Sequence, residues 1–380
     1  MSWTPLGPPQ PPGPPPMPVA FSGARRDFFH LVARGAGLEL VTVGFYRFWL
    51  ATDMRRHLWS NTHIDGDAAE YTGRGKELLI GFLIALAVLV PVYLGYFLVG
   101  LEAEHVRAFA SIPLVAFFYL FGQFAIYRAR RYRLTRTVWR GVRFWMSGSG
   151  WVYALQASLW GVLVGATLGL ALPWREAALE RYKMRHSYYG DLQGSFVGRG
   201  WDFFKRGWWL WLLTPLALYA TIFLPFIYAA FKAIEWRWWL SGIRFGEVRL
   251  ESTLRRSKLI GLYWKVIGWI ALLGVAFAAY LALCVVLVTS MDATPVAVFF
   301  KTEAFARSIP LIVLAGIGYL AFALGLNVVI RVYLMRDLWV RVLSSTIVHD
   351  IQAAANVTAR GELANALGEG FADGLDVAGF

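Results

Sequence analysis

Seven long apolar runs dominate this chain. Six lie at about 78–100, 108–127, 152–173, 208–231, 262–290 and 309–330, with a weaker one at 28–50. Each of the six approaches the roughly 20 residues that a helix needs to cross a bilayer. Lipid offers no water to satisfy backbone N–H and C=O groups, so these runs are expected to be helical. The weaker run carries Arg34, Glu39 and Arg47. Three courses are open to it: spanning, lying in the interface, or dipping in and returning.

Composition agrees with a lipid environment. Hydrophobic residues make up 58% of the chain and charged residues 16%, against about 25% charged in soluble domains. Many of the 18 Trp lie beside arginine at the edges of apolar runs, where amphipathic rings favour the headgroup zone. The net charge of +13 is read as arginine retained on the cytoplasmic face, not as a nucleic-acid footprint. The single cysteine, Cys284, excludes a disulfide framework, and the six scattered histidines suggest no metal site. No catalytic constellation and no cofactor motif emerges, so an enzyme is not expected. Residues 1–18, rich in proline, read as an extended cytosolic tail with no signal-peptide pattern.

Charge in the connections gives orientation. Seven arginines fall between 128 and 151, and 232–261 is similarly basic, whereas 101–107 and 291–308 hold one and two basic residues. The first two stretches are assigned to the cytosol. That makes 78–127 and 262–330 two hairpins that return inside, with both tails cytosolic.

An internal repeat refines the picture. Residues 42–75 align without a gap on 167–200, an offset of 125. Thr42, Gly44, Trp49, Arg56, Gly73, Arg74 and Gly75 recur as Thr167, Gly169, Trp174, Arg181, Gly198, Arg199 and Gly200. FSGARRDFF (21–29), YTGRGKELL (71–79) and FVGRGWDFF (196–204) share an aromatic-x-Gly followed by an acid and an apolar pair. GRGK at 73–76 invites comparison with a phosphate-binding loop, but Glu77 stands where the hydroxyl should be, and only one copy has the lysine. The repeated element is therefore read as a connector that turns the chain into the membrane, with glycine supplying backbone freedom. RGVRF (140–144), SGIRF (241–245) and THIDG (62–66) look like arms of short cytosolic β-hairpins, and Asp-Gly favours a tight turn. Aligning RGVRF on SGIRF gives an offset of 101, which implies that the second half lacks 24 residues, about one bilayer crossing. On that basis 152–173 and 208–231 are expected to re-enter, since broken helices are tolerated where protein or a water-filled cavity covers them.

The expected fold is thus an all-α polytopic membrane protein with an internal duplication, short juxtamembrane cytosolic β-hairpins and re-entrant helices. Its divisions are a disordered tail (1–20), a first membrane repeat (21–150), a second (151–345) and a cytosolic C-terminal tail (346–380).

The pattern carried by Thr42, Gly44, Trp49, Arg55, Arg56, Thr62, Ile64, Asp65, Gly66, Tyr71 and Gly73 resembles the YjgN-like family of bacterial inner-membrane proteins. The resemblance implies an inner-membrane location and carries over no activity. Ala69 stands where members usually have an aromatic residue.

Two functions are open to such a chain. Solute or ion transport would use polar groups at membrane depth: Arg34, Glu39, Gln123, Gln156, Lys265 and Asn327. A scaffold without transport would bind anionic lipid through Arg128, Arg130, Arg131 and Arg133. Each pathway residue also has a plain alternative as a snorkelling side chain or as helix-helix glue.

Overall fold

The structure, a computed structural model, describes residues 15–102, 107–219, 223–291 and 308–361. The proline-rich stretch as far as residue 14 lies outside the described residues, as do 103–106 and 292–307 of the two lightly charged connections and 362–380 of the C-terminal tail.

Four two-residue turns organise the chain. Asp65 and Gly66 take φ of 53° and 81°, and Arg140 and Gly141 take 48° and 73°. Positive φ at both positions matches the twist of the flanking strands. Gly190 and Gly246 open the other two turns at 53° and 55°. The turns join β3 (Thr62–Ile64) to β4 (Asp67–Tyr71), β5 (Thr137–Trp139) to β6 (Val142–Met146), β7 (Ser187–Tyr189) to β8 (Leu192–Phe196), and β9 (Ile243–Phe245) to β10 (Val248–Ser252). Ahead of them come β1 (Met17–Pro18) and β2 (Ala20–Phe21), and after them β11 (Thr346–His349).

All these strands form one antiparallel sheet of 11 strands in the order β1-β11-β10-β9-β8-β7-β6-β5-β4-β3-β2. Only Val19 separates β1 from β2, so the two ends of that order are continuous in the chain and the sheet closes into a barrel-like ring. Met17 pairs with Val348, the Val19 amide donates to the Thr346 carbonyl at 3.0 Å, and Ala20 pairs with His63. This overturns the all-α expectation with short β-hairpins as appendages. Strands of two to five residues carry too little alternation to be recognised singly, and the neighbours that complete them lie far along the sequence. RGVRF and SGIRF also prove to be unlike pieces: the first is a turn plus the outgoing strand β6, the second a helix end plus the incoming strand β9. The 24-residue deficit came from aligning them.

The ring is filled. One apolar cluster takes Val19, Ile64, Trp139, Val142, Phe144, Tyr189, Leu192, Phe245, Val248, Leu250 and Val348 from strands all round it, and Ile351 and Ala354 from the turn after β11. Phe144 and Phe245 touch across the ring with centroids 5.9 Å apart, two strands intervening. Alternate residues such as Val142 and Phe144 face inward, the period-2 signature of a strand with one buried face.

Helical hairpins leave the rim opposite the turns. They are α1 (Arg25–Val41) with α2 (Arg47–Ser60), α3 (Gly75–Glu102) with α4 (Arg107–Thr135), α5 (Gly150–Ala166) with α6 (Leu172–Arg185), and α7 (Gly200–Tyr219) with α8 (Leu224–Gly242). The last is α9 (Arg256–Met291) with α10 (Ile309–Val329), a π-helical stretch Ile330–Arg336 and α11 (Asp337–Leu343). The described chain is therefore five β-α-α-β units, each pairing its own first and last strands, in place of the two halves expected. Since both feet of every hairpin stand in the sheet, runs 28–50, 152–173 and 208–231 each turn back. Where helix gives way to strand, a hydroxyl reaches back four residues to a carbonyl: Thr62 to Leu58, Thr137 to Arg133, Ser187 to Lys183 and Thr346 to Val342.

Polar contacts seal the last unit to the first. Arg25 pairs with Asp337 at 2.6 Å, Arg336 donates to the Gly23 carbonyl at 2.6 Å, and the Trp339 indole N–H donates to Thr62 at 3.2 Å. α1 packs on α10, so the helices close a ring above the strands.

Candidate functional site: a buried charge network and two lateral grooves

The repeated residues set the hairpins in place. Thr42 caps α1: its hydroxyl donates to the Leu38 carbonyl at 2.7 Å and accepts from the Tyr46 amide at 2.9 Å. Thr167 does the same for α5, with Leu163 at 2.8 Å and Ala171 at 3.1 Å. Gly44 and Gly169 follow at φ of 86° and 91°, and their amides close a Schellman turn onto the Glu39 and Val164 carbonyls. T-x-G is thus the tip of a helical hairpin. Trp49 and Gly75 recur together because they touch: a Cβ on Gly75 would lie 2.8 Å from the Trp49 Cα, and one on Gly200 2.8 Å from the Trp174 Cα. Gly73 and Gly198 lie beneath the rings of Tyr71 and Phe196, 2.6 Å and 2.5 Å from where a Cβ would stand. GRGKE is the strand-to-helix junction, with Lys76 exposed and Glu77 accepting from Tyr132 at 2.7 Å and Arg136 at 3.0 Å.

Charge collects between α4, α6 and α8. Glu180, 6% exposed, accepts from Arg130 of α4 at 3.2 Å and pairs with Lys183 of its own helix. The Arg130 guanidinium also lies over the Trp239 ring of α8. Arg175 pairs with Glu176 and Lys232 with Glu235, each at 2.6 Å. Burial alone would raise the Glu180 carboxyl, but Lys183 and Arg130 outweigh it and hold it at about 2. One turn earlier on the same face, burial raises the Glu176 carboxyl against the pull of Arg175 and Lys183. Of two carboxyls one helical turn apart, Glu180 is thus fixed as the anion by its cations, and Glu176, pushed towards its neutral form, is the one disposed to take up a proton.

Two grooves of matching position open to the side. One, of about 600 Å³, lies between α5 and α6 and is lined by Gln156, Leu159, Trp160, Arg181, Tyr182 and Arg185, with His186 at its foot. The other, of about 550 Å³, lies between α1 and α2 and is lined by His30, Leu31, Arg34, Asp53, Arg56 and His57. The repeat offset of 125 carries Leu31 onto Gln156, Arg34 onto Leu159, Asp53 onto Ala178, Arg56 onto Arg181 and Ser60 onto Arg185.

The residues proposed on the sequence for a polar pathway lie apart. Arg34 and Gln156 are exposed in different grooves, Gln123 is buried on α4, and Lys265 is exposed on α9. Asn327 is half-buried on α10, and Glu39 pairs with Arg331 at 2.9 Å in the seam between first and last units. Among the described residues no hydrogen bond or ion pair joins any two of the six. Arg128, Arg130, Arg131 and Arg133 are all half-buried, with Arg128 over the Phe124 ring and Arg130 on Glu180. Sequence reasoning missed Glu180, Lys183 and Arg331. Glu176, Glu180 and Lys183 at spacings of four and three on α6 were the available signal.

A family model for bacterial proteins of unknown function, DUF898, matches residues 16–374, from just before β1 to beyond β11. It agrees with the resemblance carried by Thr42 to Gly73. No curated protein and no solved structure matches the chain.

Proposed function

Because the chain belongs to the DUF898 family of bacterial proteins of unknown function, no activity can be borrowed from a relative; we propose a multi-pass scaffold of the bacterial inner membrane, with no enzymatic chemistry of its own. The observation that carries this reading is the unequal reach of hairpins rooted in one rim. Among the described residues, four helices are long and apolar enough to cross a membrane: Gly75–Leu98, Ile112–Thr135, Arg256–Met291 and Ile309–Leu343. By contrast α1 and α5 have 17 residues and α2 and α6 have 14. At 1.5 Å per residue they reach roughly 21–25 Å, short of a hydrocarbon core about 30 Å thick. Their tips are nonetheless apolar and bare: Val43 is 88% exposed and Leu168 82%. Such tips belong among acyl chains of one leaflet, with the barrel held at the cytosolic surface by its basic rim. The protein then displaces lipid unevenly between leaflets and offers the barrel as a platform. Vesicles holding the full-length protein test this with single cysteines in a Cys284→Ala background. Val43→Cys and Leu168→Cys are expected to resist aqueous maleimide from both sides, and Glu247→Cys in the last turn to react from one side only. Ready labelling of the tips sinks the reading.

Solute transport is the second reading, supported by the Glu176–Glu180 pair with its opposed proton affinities. The apolar filling of the barrel weighs against a straight path along its axis. Proton-driven flux in the same vesicles, lost in Glu176→Gln, would favour transport over the scaffold.

A further inference from the structure

We infer that the groove between α5 and α6 is a binding site for the headgroup of an anionic phospholipid, with one acyl chain running up the groove towards Leu168. Towards its foot stand three basic side chains, Arg181, Arg185 and His186, and among the described residues no carboxylate lines it. Arg181 spends only Nε, on the Ala177 carbonyl at 3.0 Å, and neither arginine forms a salt bridge among the described residues. Higher up, the lining turns apolar with Leu159 and Trp160.

The gradient suits a lipid. Arg185 immediately precedes the strand-start region at the barrel rim, and Arg181 lies about 6 Å up the helix from it. Their guanidiniums therefore stand at headgroup level if the tip lies in the hydrocarbon, and the forked donors of arginine match a phosphate. The α1–α2 groove, its counterpart in the repeat, differs in lining. There Arg34 occupies the deep position where Leu159 stands, Asp53 supplies an acid where Ala178 stands, and Ser60 takes the place of Arg185. Compared with that copy, the α5–α6 groove lacks the acid, has a cation at its foot and carries Leu159 in place of an arginine, while Gln156 stands in place of Leu31. The first three differences favour an amphipathic anion.

The inference rests on the half-depth placement of α5–α6, and the two can fail separately. If the placement is wrong, Leu168→Cys labels from water; if only this inference is wrong, the tip stays shielded and the lipid is not held. Native mass spectrometry of the full-length protein, exchanged into phosphatidylglycerol or phosphatidylcholine, reads retention directly. The wild type is expected to retain phosphatidylglycerol, and Arg181→Gln with Arg185→Gln to weaken it about thirtyfold at an unchanged melting temperature. Arg56→Gln in the sister groove should leave retention alone. Arg185→Gln by itself, about fivefold weaker, serves if the double variant melts early. Undiminished phosphatidylglycerol in a folded variant, equal retention of phosphatidylcholine, or displacement of the lipid by inorganic phosphate alone would overturn the assignment.

Discussion

At the scale of single residues, two contacts have measurable consequences. A methyl group on Gly75 or Gly200 meets tryptophan backbone 2.8 Å away, which cannot yield as a flexible side chain would. Gly75→Ala and Gly200→Ala are expected to cost about 1–3 kcal/mol, as overpacking does. Gly37→Ala, on a helix with open space around the added carbon, should be neutral or stabilising by up to about 1 kcal/mol. Thermal melts in detergent separate the three. Glu180 gives a pH test. Its native pKa of about 2 lies below the roughly 4.3 of an unfolded glutamate. The contribution is therefore full above about pH 5 and is lost as pH falls through 4 towards 2. Glu180→Gln strands Lys183 and Arg130 and should cost about 3–5 kcal/mol at neutral pH. The gap in melting temperature between wild type and Glu180→Gln should close as the medium is acidified; a gap constant down to pH 3 would contradict the pairing. Little of this network was legible in advance, because Arg130 and Glu180 lie 50 residues apart and each alone reads as a surface charge.

At the scale of elements, the hairpin tips could be read and the strands could not. Thr42-x-Gly44 and Thr167-x-Gly169 carry a capping hydroxyl and a positive-φ glycine within three residues, so their recurrence was visible and its cause local. Asp65-Gly66 was legible for the same reason. The third and fifth junctions lack the aromatic-x-Gly mark, reading Met146-Ser147-Gly148 and Ser252-Thr253-Leu254, and so the fivefold order was hidden behind an apparent duplication. Tips also hold removable strain. Val43 and Leu168 sit at φ of 51° and 50°, which costs a side-chain-bearing residue roughly 1–2 kcal/mol. Val43→Gly is expected to raise the melting temperature in detergent, where the tip has no bilayer to enter. Thr42→Val, which forfeits both cap bonds, should lower it by the equivalent of about 1–2 kcal/mol.

At the scale of the whole molecule, closure is the property that matters most. β1 and β2 lie on opposite sides of Val19 and between them pair both β11 and β3, so removing residues 1–21 leaves two bare strand edges. Such edges template pairing with other chains, and the truncated protein is expected to elute as aggregate in size-exclusion chromatography where the full chain is monodisperse. Asp337→Asn loosens the same seam from the helical side and should lower the melting temperature without aggregation, since the strands still meet. Closure also sets a timetable. The ribosome releases Ala20 long before Thr346, and at roughly 5–20 residues per second the interval is on the order of tens of seconds. Throughout it β1 has no mate, while the hairpins between β2 and β11 are already being made. The nascent N-terminus must therefore be kept from foreign strands until the final stretch of synthesis supplies its own.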